Sequence, residues 1–283
     1  MTQIDQTTIT DAVIKRLEHA PDERLRVVLA ALVRHLHDFA REVSLTNKEW
    51  ACAIEFLTKV GQRCHEDRQE FILLSDVLGL SSLVDMINHQ MPAGCTPSTP
   101  IGPFHVQGAP EVLMGGDVAQ GASGKRCHVS GVVRDLDGKP VAGAHIDVWQ
   151  ADANGLYDVQ YEGRAHMQAR ARLTTDENGH YAFDSVLAEP YQVPTDGPVG
   201  ELLSATAREA WRPAHLHFIV CAPHFKSLVT HVFRDDDPYI NDDAVFAVRP
   251  GLMVPWQAMP DGSYRLEFDF VLERCTEQSN SIP

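Results

Sequence analysis

In the stretch Trp211-Arg212-Pro213-Ala214-His215-Leu216-His217-Phe218-Ile219-Val220, two histidines stand two positions apart inside an apolar run. Folded as a strand, this run sends His215 and His217 to one face and Leu216 and Phe218 to the other. Two imidazoles on one face are either a metal-binding pair or a pair of hydrogen-bonded structural histidines; the pattern alone leaves both open. A facial-triad iron(II) enzyme needs a carboxylate beside its histidines, and a zinc hydrolase needs a third His, Asp or Glu. No HExxH is present, and no Glu follows His217 within a few residues. Two tyrosines in unusual surroundings are the remaining candidates. Tyr157 ends the string Asp147-Val148-Trp149-Gln150-Ala151-Asp152-Ala153-Asn154-Gly155-Leu156-Tyr157, just past a strand end and a turn. Tyr191 opens Pro190-Tyr191-Gln192-Val193-Pro194-Thr195-Asp196-Gly197-Pro198, a loop stiffened by its prolines. Each tyrosine taken singly is also explained as a loop-packing aromatic.

The elements that position these residues divide the chain by texture. The first ~90 residues carry helical apolar spacing. Leu25, Val28, Leu29, Leu32, Val33 and Leu36 form one broad stripe, Thr46 with Glu49 starts a capped helix running past Trp50 to Val60, and Phe71 to Ile87 is a further candidate. After about residue 95 the pattern changes. A Pro- and Gly-rich connection gives way to short β-branched runs separated by turns at Asp135–Gly138 and Asp176–Gly179. Strands are expected at Val129–Arg134, Val141–Trp149, Tyr181–Phe183, Ala214–Ala222, Ser227–Phe233 and Tyr264–Val271. The expected fold is mixed α and β: a helical domain over residues 1–95, then an antiparallel β-sandwich over residues 96–283 that carries the site.

Bulk properties narrow the function classes. The chain has 283 residues, enough for a substantial core, and a formal net charge of −15. That charge disfavours nucleic acid and anionic membrane surfaces as partners. No apolar stretch approaches the ~18 residues of a membrane span, and the first residues do not form a secretory signal. Cys52, Cys64, Cys95, Cys127, Cys221 and Cys275 are scattered without a CxxC, as expected of reduced thiols in the cytoplasm.

Three strings, VWQADANGLYD, PYQVPTDGPVG and RPAHLHF, taken in order, resemble those of the intradiol ring-cleaving dioxygenases, most closely the branch acting on hydroxyquinol. The likeness extends from the helical region to about residue 270. It implies a ferric ion, Fe(III), held by Tyr157, Tyr191, His215 and His217, with Tyr157 and His215 equatorial and Tyr191 and His217 axial. Such a site would cleave an aromatic diol or triol with O2, Tyr191 leaving its place and taking a substrate proton. Phenolates suit this role, because two of them and a hydroxide balance three positive charges in a dry pocket. Arg212 is implied beside the substrate ring, where its charge steadies negative charge on carbon. The helical region is implied to form a homodimer interface, where a lipid can be held. Two other classes stay in view from the residues alone: a zinc enzyme on a similar sandwich, and a non-catalytic carrier.

The same resemblance places Leu73, Asp76, Ile101, Gly102, Pro103, Phe104, Val193, Pro194 and Val245 around the substrate. Most are apolar, as a ring requires. Asp76 is the exception, set in Phe71-Ile72-Leu73-Leu74-Ser75-Asp76-Val77-Leu78, where a carboxylate needs a partner. It is either an internally bonded helix residue or the acceptor for the third hydroxyl of hydroxyquinol, catechol being the alternative substrate. His231 stands fourteen residues after His217, where catechol-cleaving members tend to have Gln. Its expected role is either hydrogen bonding at the substrate site or strand packing.

Overall fold

The computed structural model describes residues 4–66, 68–163 and 166–275. Its packing divides the chain into two compact units, the first ending at Gln62. The first unit holds α1 (Ile9–Leu17), α2 (Glu23–Glu42) and α3 (Asn47–Arg63, whose last residue lies past the division). Asp22 caps α2 by accepting the Leu25 amide at 2.9 Å. The expected capping box is present before α3: the Thr46 amide donates to Glu49 Oε2 at 2.9 Å, and the Glu49 amide donates to Thr46 Oγ1 at 3.3 Å. Thr10 on α1 bonds His37 on α2. Along α2, Leu25, Val28, Leu32 and Leu36 of the expected stripe are exposed, as is Phe39, while Leu29 and Val33 are half-buried. Core packing therefore accounts for only part of the stripe.

The second unit begins with α4 (Glu70–Val77) and α5 (Leu80–Asn88). One helix was expected across Phe71–Ile87; the chain breaks it at Leu78-Gly79. These two helices also fall on the far side of the division from the first three, although the sequence texture places its boundary near residue 95. The reason is bonding: Ser82 Oγ donates to the Val245 carbonyl at 3.0 Å, and Arg208 Nη1 donates to that of Val77 at 2.6 Å.

The strands are β1 (Gly116–Asp117), β2 (Arg126–Asp135), β3 (His145–Gln150), β4 (Arg170–Thr174), β5 (His180–Val186), β6 (Tyr191–Gln192), β7 (Trp211–Arg212), β8 (His215–Cys221), β9 (Leu228–Arg234), β10 (Met253–Val254), β11 (Gln257–Ala258), β12 (Tyr264–Glu267) and β13 (Phe270–Leu272); α6 (Pro198–Ala205) lies between β6 and β7. One sheet runs β1-β5-β2-β12-β11 with β13 also on β2, a second runs β10-β9-β8-β3-β4, and β6 pairs with β7. The two large sheets share a single core, so the sandwich is present. Its sheets are mixed, not purely antiparallel: β1 with β5, β10 with β9, and both β12 and β13 with β2 are parallel pairs. The expected strand Tyr264–Val271 is split because Phe268 and Asp269 turn to other duties. The Phe268 carbonyl accepts the Tyr181 hydroxyl at 2.7 Å, and the Asp269 carboxylate accepts the Val132 amide at 2.8 Å.

Strand alternation sets the site. Leu216, Phe218 and Val220 of β8 enter the core with Val129 and Phe183 of the facing sheet. His215 and His217 therefore lie on the opposite face. Phe218 is fully buried, its ring 5.0 Å from that of Phe270 and 6.5 Å from that of Phe183. Phe218→Ala should cost about 3–5 kcal/mol of stability, measured by denaturant unfolding.

Candidate metal centre

Cross-strand register assembles one wall of the site. Arg170 of β4 opposes Trp149 of β3, Trp149 opposes His217 of β8, and His217 opposes His231 of β9. Facing residues share a face, so these four side chains stand in a row. Trp149 stacks on His217, centroids 4.6 Å apart at 13°, and His231 meets His217 edge-on at 4.1 Å. The His215 Nδ1–H donates to the Pro213 carbonyl at 2.6 Å, which turns its Nε2 lone pair toward the centre. Burial first, then Arg212, holds the His215 pKa well below the ordinary value; burial, then the neighbouring His231, does the same for His217. Both imidazoles are neutral; His215 Nε2 accepts from Arg212 Nη1 at 3.2 Å and His217 Nε2 pairs with the Tyr157 hydroxyl, so each presents its lone pair inside the cluster.

The tyrosines arrive from loops. After β3 the chain reverses at Asp152–Gly155, where the Asp152 carboxylate accepts the Asn154 amide at 2.8 Å. Gly155 has φ +73°, and a Cβ there would stand 3.0 Å from that of Tyr191, so a side chain at this position would push the two loops apart. Tyr157 then caps a single 3-10 turn, Asp158–Gln160, its amide donating to Gln160 Oε1 at 2.9 Å. Asp158 is bound by buried Arg170, whose Nε donates at 2.8 and 3.0 Å; burial pushes the Asp158 pKa up, but these bonds outweigh it and leave it below the usual value. Arg170 also donates from Nη1 to the Phe104 carbonyl at 2.9 Å, and the Phe104 ring stacks on Tyr157 at 4.3 Å. Tyr191 belongs to the ribbon β6–β7, directly opposite Arg212.

Four ligand-capable atoms meet. Tyr157 Oη lies 2.8 Å from His217 Nε2, 3.3 Å from Tyr191 Oη and 3.4 Å from His215 Nε2, and the two Nε2 atoms are 3.2 Å apart. A metal with bonds of about 2.1 Å sets neighbouring ligands about 3 Å apart at right angles, so the spacing fits one ion. Burial pushes the Tyr157 phenol well above its usual pKa, opposed by Arg212. Ionising it therefore calls for more positive charge than the arginines provide, which a multivalent cation would supply. His231 offers a third imidazole within 4.8 Å of the other two. Its Nδ1 is taken up by the hydroxyl of fully buried Thr99, and its Nε2 is buried with no hydrogen-bond partner. His231 thus packs against the two site histidines and bonds Thr99, with no hydrogen bond to either tyrosine or either site histidine.

Arg212, 4% exposed, donates from Nη1 to Tyr191 Oη at 3.2 Å and from Nε to Asp243 Oδ1 at 3.2 Å. Burial lowers its pKa, but Tyr191 and then Asp243 more than offset this and hold it charged. Asp76, half-buried on α4, is pushed up by burial; Ser81 and Arg212 pull it down, and Asp243 adds to the rise. The remaining residues proposed for the substrate pocket are placed unevenly. Gly102 lies beside His217, Val193 is buried next to Tyr191, Val245 follows Asp243, and Leu73 is one turn before Asp76. Ile101, Pro103 and Pro194 are exposed. Sequence reasoning gave no role to Asp243, Thr99, Trp149 or the Arg170–Asp158 pair. Trp149 and Asp158 stand within the VWQADANGLYD string, but the roles of all five depend on strand register and loop closure.

Comparison with known proteins agrees with this geometry. Residues 102–274 match the family described as "Dioxygenase", and residues 22–96 match "Catechol dioxygenase N terminus". The chain is 55% identical to a 6-chlorohydroxyquinol 1,2-dioxygenase of Cupriavidus pinatubonensis, over 96% of this chain and 99% of the relative. It is 48% identical to a hydroxyquinol 1,2-dioxygenase of a Rhizobium species, over 92% and 88%. Among solved structures, a hydroxyquinol 1,2-dioxygenase from Pseudomonas putida superposes with a TM-score of 0.91 at 42% identity, covering 95% of this chain and 98% of that one. A chlorocatechol 1,2-dioxygenase, also from Pseudomonas putida, gives 0.79 at 31%, covering 89% and 100%. With two phenols and two imidazoles gathered on one buried point, and with relatives of this closeness along nearly its whole length, the chain belongs to the intradiol ring-cleaving dioxygenase family.

Proposed function

We propose that this protein is an Fe(III)-dependent dioxygenase that opens hydroxyquinol, 1,2,4-trihydroxybenzene, between its adjacent hydroxyls, placing both atoms of O2 in 3-hydroxy-cis,cis-muconate (or its tautomer maleylacetate) during aromatic catabolism. The observation that carries the proposal is the meeting of Tyr157, Tyr191, His215 and His217 at ligand spacing. Hard, anionic phenolate oxygens favour a trivalent ion over the softer-ligand metals. The names of relatives 55% and 48% identical to this chain support the choice of substrate.

Bound by these four residues, Fe(III) would supply Lewis acidity toward an aromatic diol, activating the ring carbon toward O2. The chain's own residues do the rest. His215 and His217 stay fixed on β8, and Tyr157 is held by its turn. Tyr191 Oη takes a proton from one substrate hydroxyl as the diol binds. Arg212, already bonded to that oxygen, holds a fixed charge against the negative charge that builds on the ring. Phe104 and Val193 contribute apolar wall. Asp76 accepts the third hydroxyl, which catechol lacks. A carboxylate left without that partner rejects the poorer ligand.

The exposed residues of the α2 stripe suit a two-fold homodimer through the helical unit, and a lipid held there would lie against the same apolar side chains. Among the described residues no helix is long and apolar enough to cross a membrane. The six free cysteines suit a reducing cytoplasm.

Three measurements test the site. Iron-loaded protein should consume O2 with hydroxyquinol well ahead of catechol or protocatechuate, the ring-opened acid being identified by mass; equal rates on all three would defeat the substrate assignment. Asp76→Ala should narrow the hydroxyquinol-to-catechol ratio by roughly tenfold or more. Tyr157→Phe should abolish the visible tyrosinate-to-iron absorption or the bound iron itself, and an unaltered spectrum would remove Tyr157 from the ligand set.

A further inference from the structure

A buried carboxylate outside the metal site joins the two segments on which substrate choice rests. Glu70, the first residue of α4, is completely buried. Its Oε1 accepts the Val199 amide at 3.2 Å, and its Oε2 accepts Arg68 Nε at 2.8 Å. Arg68 Nη1 in turn donates to Asp196 Oδ1 at 2.7 Å, and Arg63 bonds the other Asp196 oxygen. Thus α4, which carries Leu73 and Asp76, is tied to the segment running from Tyr191 through Val193 and Asp196 into α6.

The need for this tie is visible in α6 itself. Its N-cap, Gly197, has no side chain to satisfy the first amides, and Pro198 at the first helical position has no N–H. Val199 is therefore the first amide needing an acceptor, and Glu70 provides it, a negative charge at the positive end of the helix. The fit is tight. A Cβ at Gly197 would lie 2.5 Å from Glu70 Oε1 and 2.8 Å from Arg68 Nη2. Glycine here is required by close approach between two segments far apart in sequence.

We infer that the Glu70–Arg68–Asp196 network is a positioning latch that sets the distance between Asp76 and the Tyr191–Val193 wall, and so determines discrimination between triol and diol substrates. The inference rests on the proposed function, and deepens it by naming residues that act through others. Six helical steps, about 9 Å, run from Glu70 to Asp76, and Asp76 senses Arg212, which pairs with Tyr191, so loosening at Glu70 shifts Asp76 relative to the Tyr191 segment. Hydrogen-bonded recognition of one hydroxyl tolerates displacements of only about 0.5 Å.

The test compares Glu70→Gln, which keeps an acceptor for Val199 but removes the charge facing Arg68, with Asp196→Asn, which loosens the latch at its exposed end. Expected for both is a higher KM for hydroxyquinol with kcat little changed. The hydroxyquinol-to-catechol ratio of kcat/KM should fall about tenfold, while the visible tyrosinate band is retained. Amide hydrogen exchange should rise over residues 191–199 and stay unchanged over residues 215–221. An unchanged ratio with unchanged exchange overturns the latch. So does equal loss on both substrates with a uniform fall in melting temperature, the mark of plain destabilisation. If Glu70→Gln does not fold, Asp196→Asn decides alone. Exchange needs no turnover, so wild-type protein that opened neither ring would sink the substrate assignment while the latch was still judged on exchange.

Discussion

A phenol that is wholly buried does not ionise unless positive charge is set against it, and the second unit is built around that constraint. Tyr157 is fully buried, with Tyr191 and two neutral imidazoles around its oxygen. Arg212 faces the same cluster but is already engaged with Asp243, and Arg170 is engaged with Asp158. Each guanidinium is thus largely balanced by its own carboxylate before the phenols are counted. A cation at the centre would complete the balance, and the four ligand atoms are spaced to receive one. Burying two paired arginines is costly in itself. The cost is offset by what they hold in place: one anchors the Tyr157 turn and the Phe104 segment, and the other anchors Tyr191 and the start of β8.

Much of this was legible in the sequence because strand alternation is strictly periodic. Once His215-Leu216-His217-Phe218 is a strand, the imidazoles share a face and the apolar residues fill the core, whatever the partners are. The capping box at Thr46 and Glu49 is equally local, and it formed as expected. Tyr157 and Tyr191 were legible only through the strings around them, since a tyrosine in a loop carries no periodic signal. What failed to show was non-local. The split between β12 and β13 arises from the Tyr181 hydroxyl and the Val132 amide, both more than eighty residues away. The parallel pairs depend on which edges the late strands find. Helix α6 was not among the expected elements, because its start is a glycine and a proline closing a loop, with a cap borrowed from Glu70. The placement of α4 and α5 with the second unit follows from contacts such as Ser82 to Val245, not from composition.

The four proposed ligands are not held alike, and the difference bears on the chemistry. His215 and His217 sit in the middle of a sheet, on a strand bonded along both edges. Tyr157 hangs from a turn, but that turn is fastened by its own cap, by the Asp158–Arg170 pair and by Phe104 stacked on the ring. Tyr191 has the lightest hold: a two-residue ribbon, a T-shaped ring contact with Tyr157 at 5.5 Å, and a hydrogen bond from Arg212 to its hydroxyl. A bidentate substrate that must displace one ligand will displace the one whose removal disturbs least. Arg212 stands ready to keep that oxygen solvated, with no water needed inside a dry pocket. The asymmetry in backbone support thus favours the proposal that Tyr191 is the ligand that yields and Tyr157 the phenolate that stays.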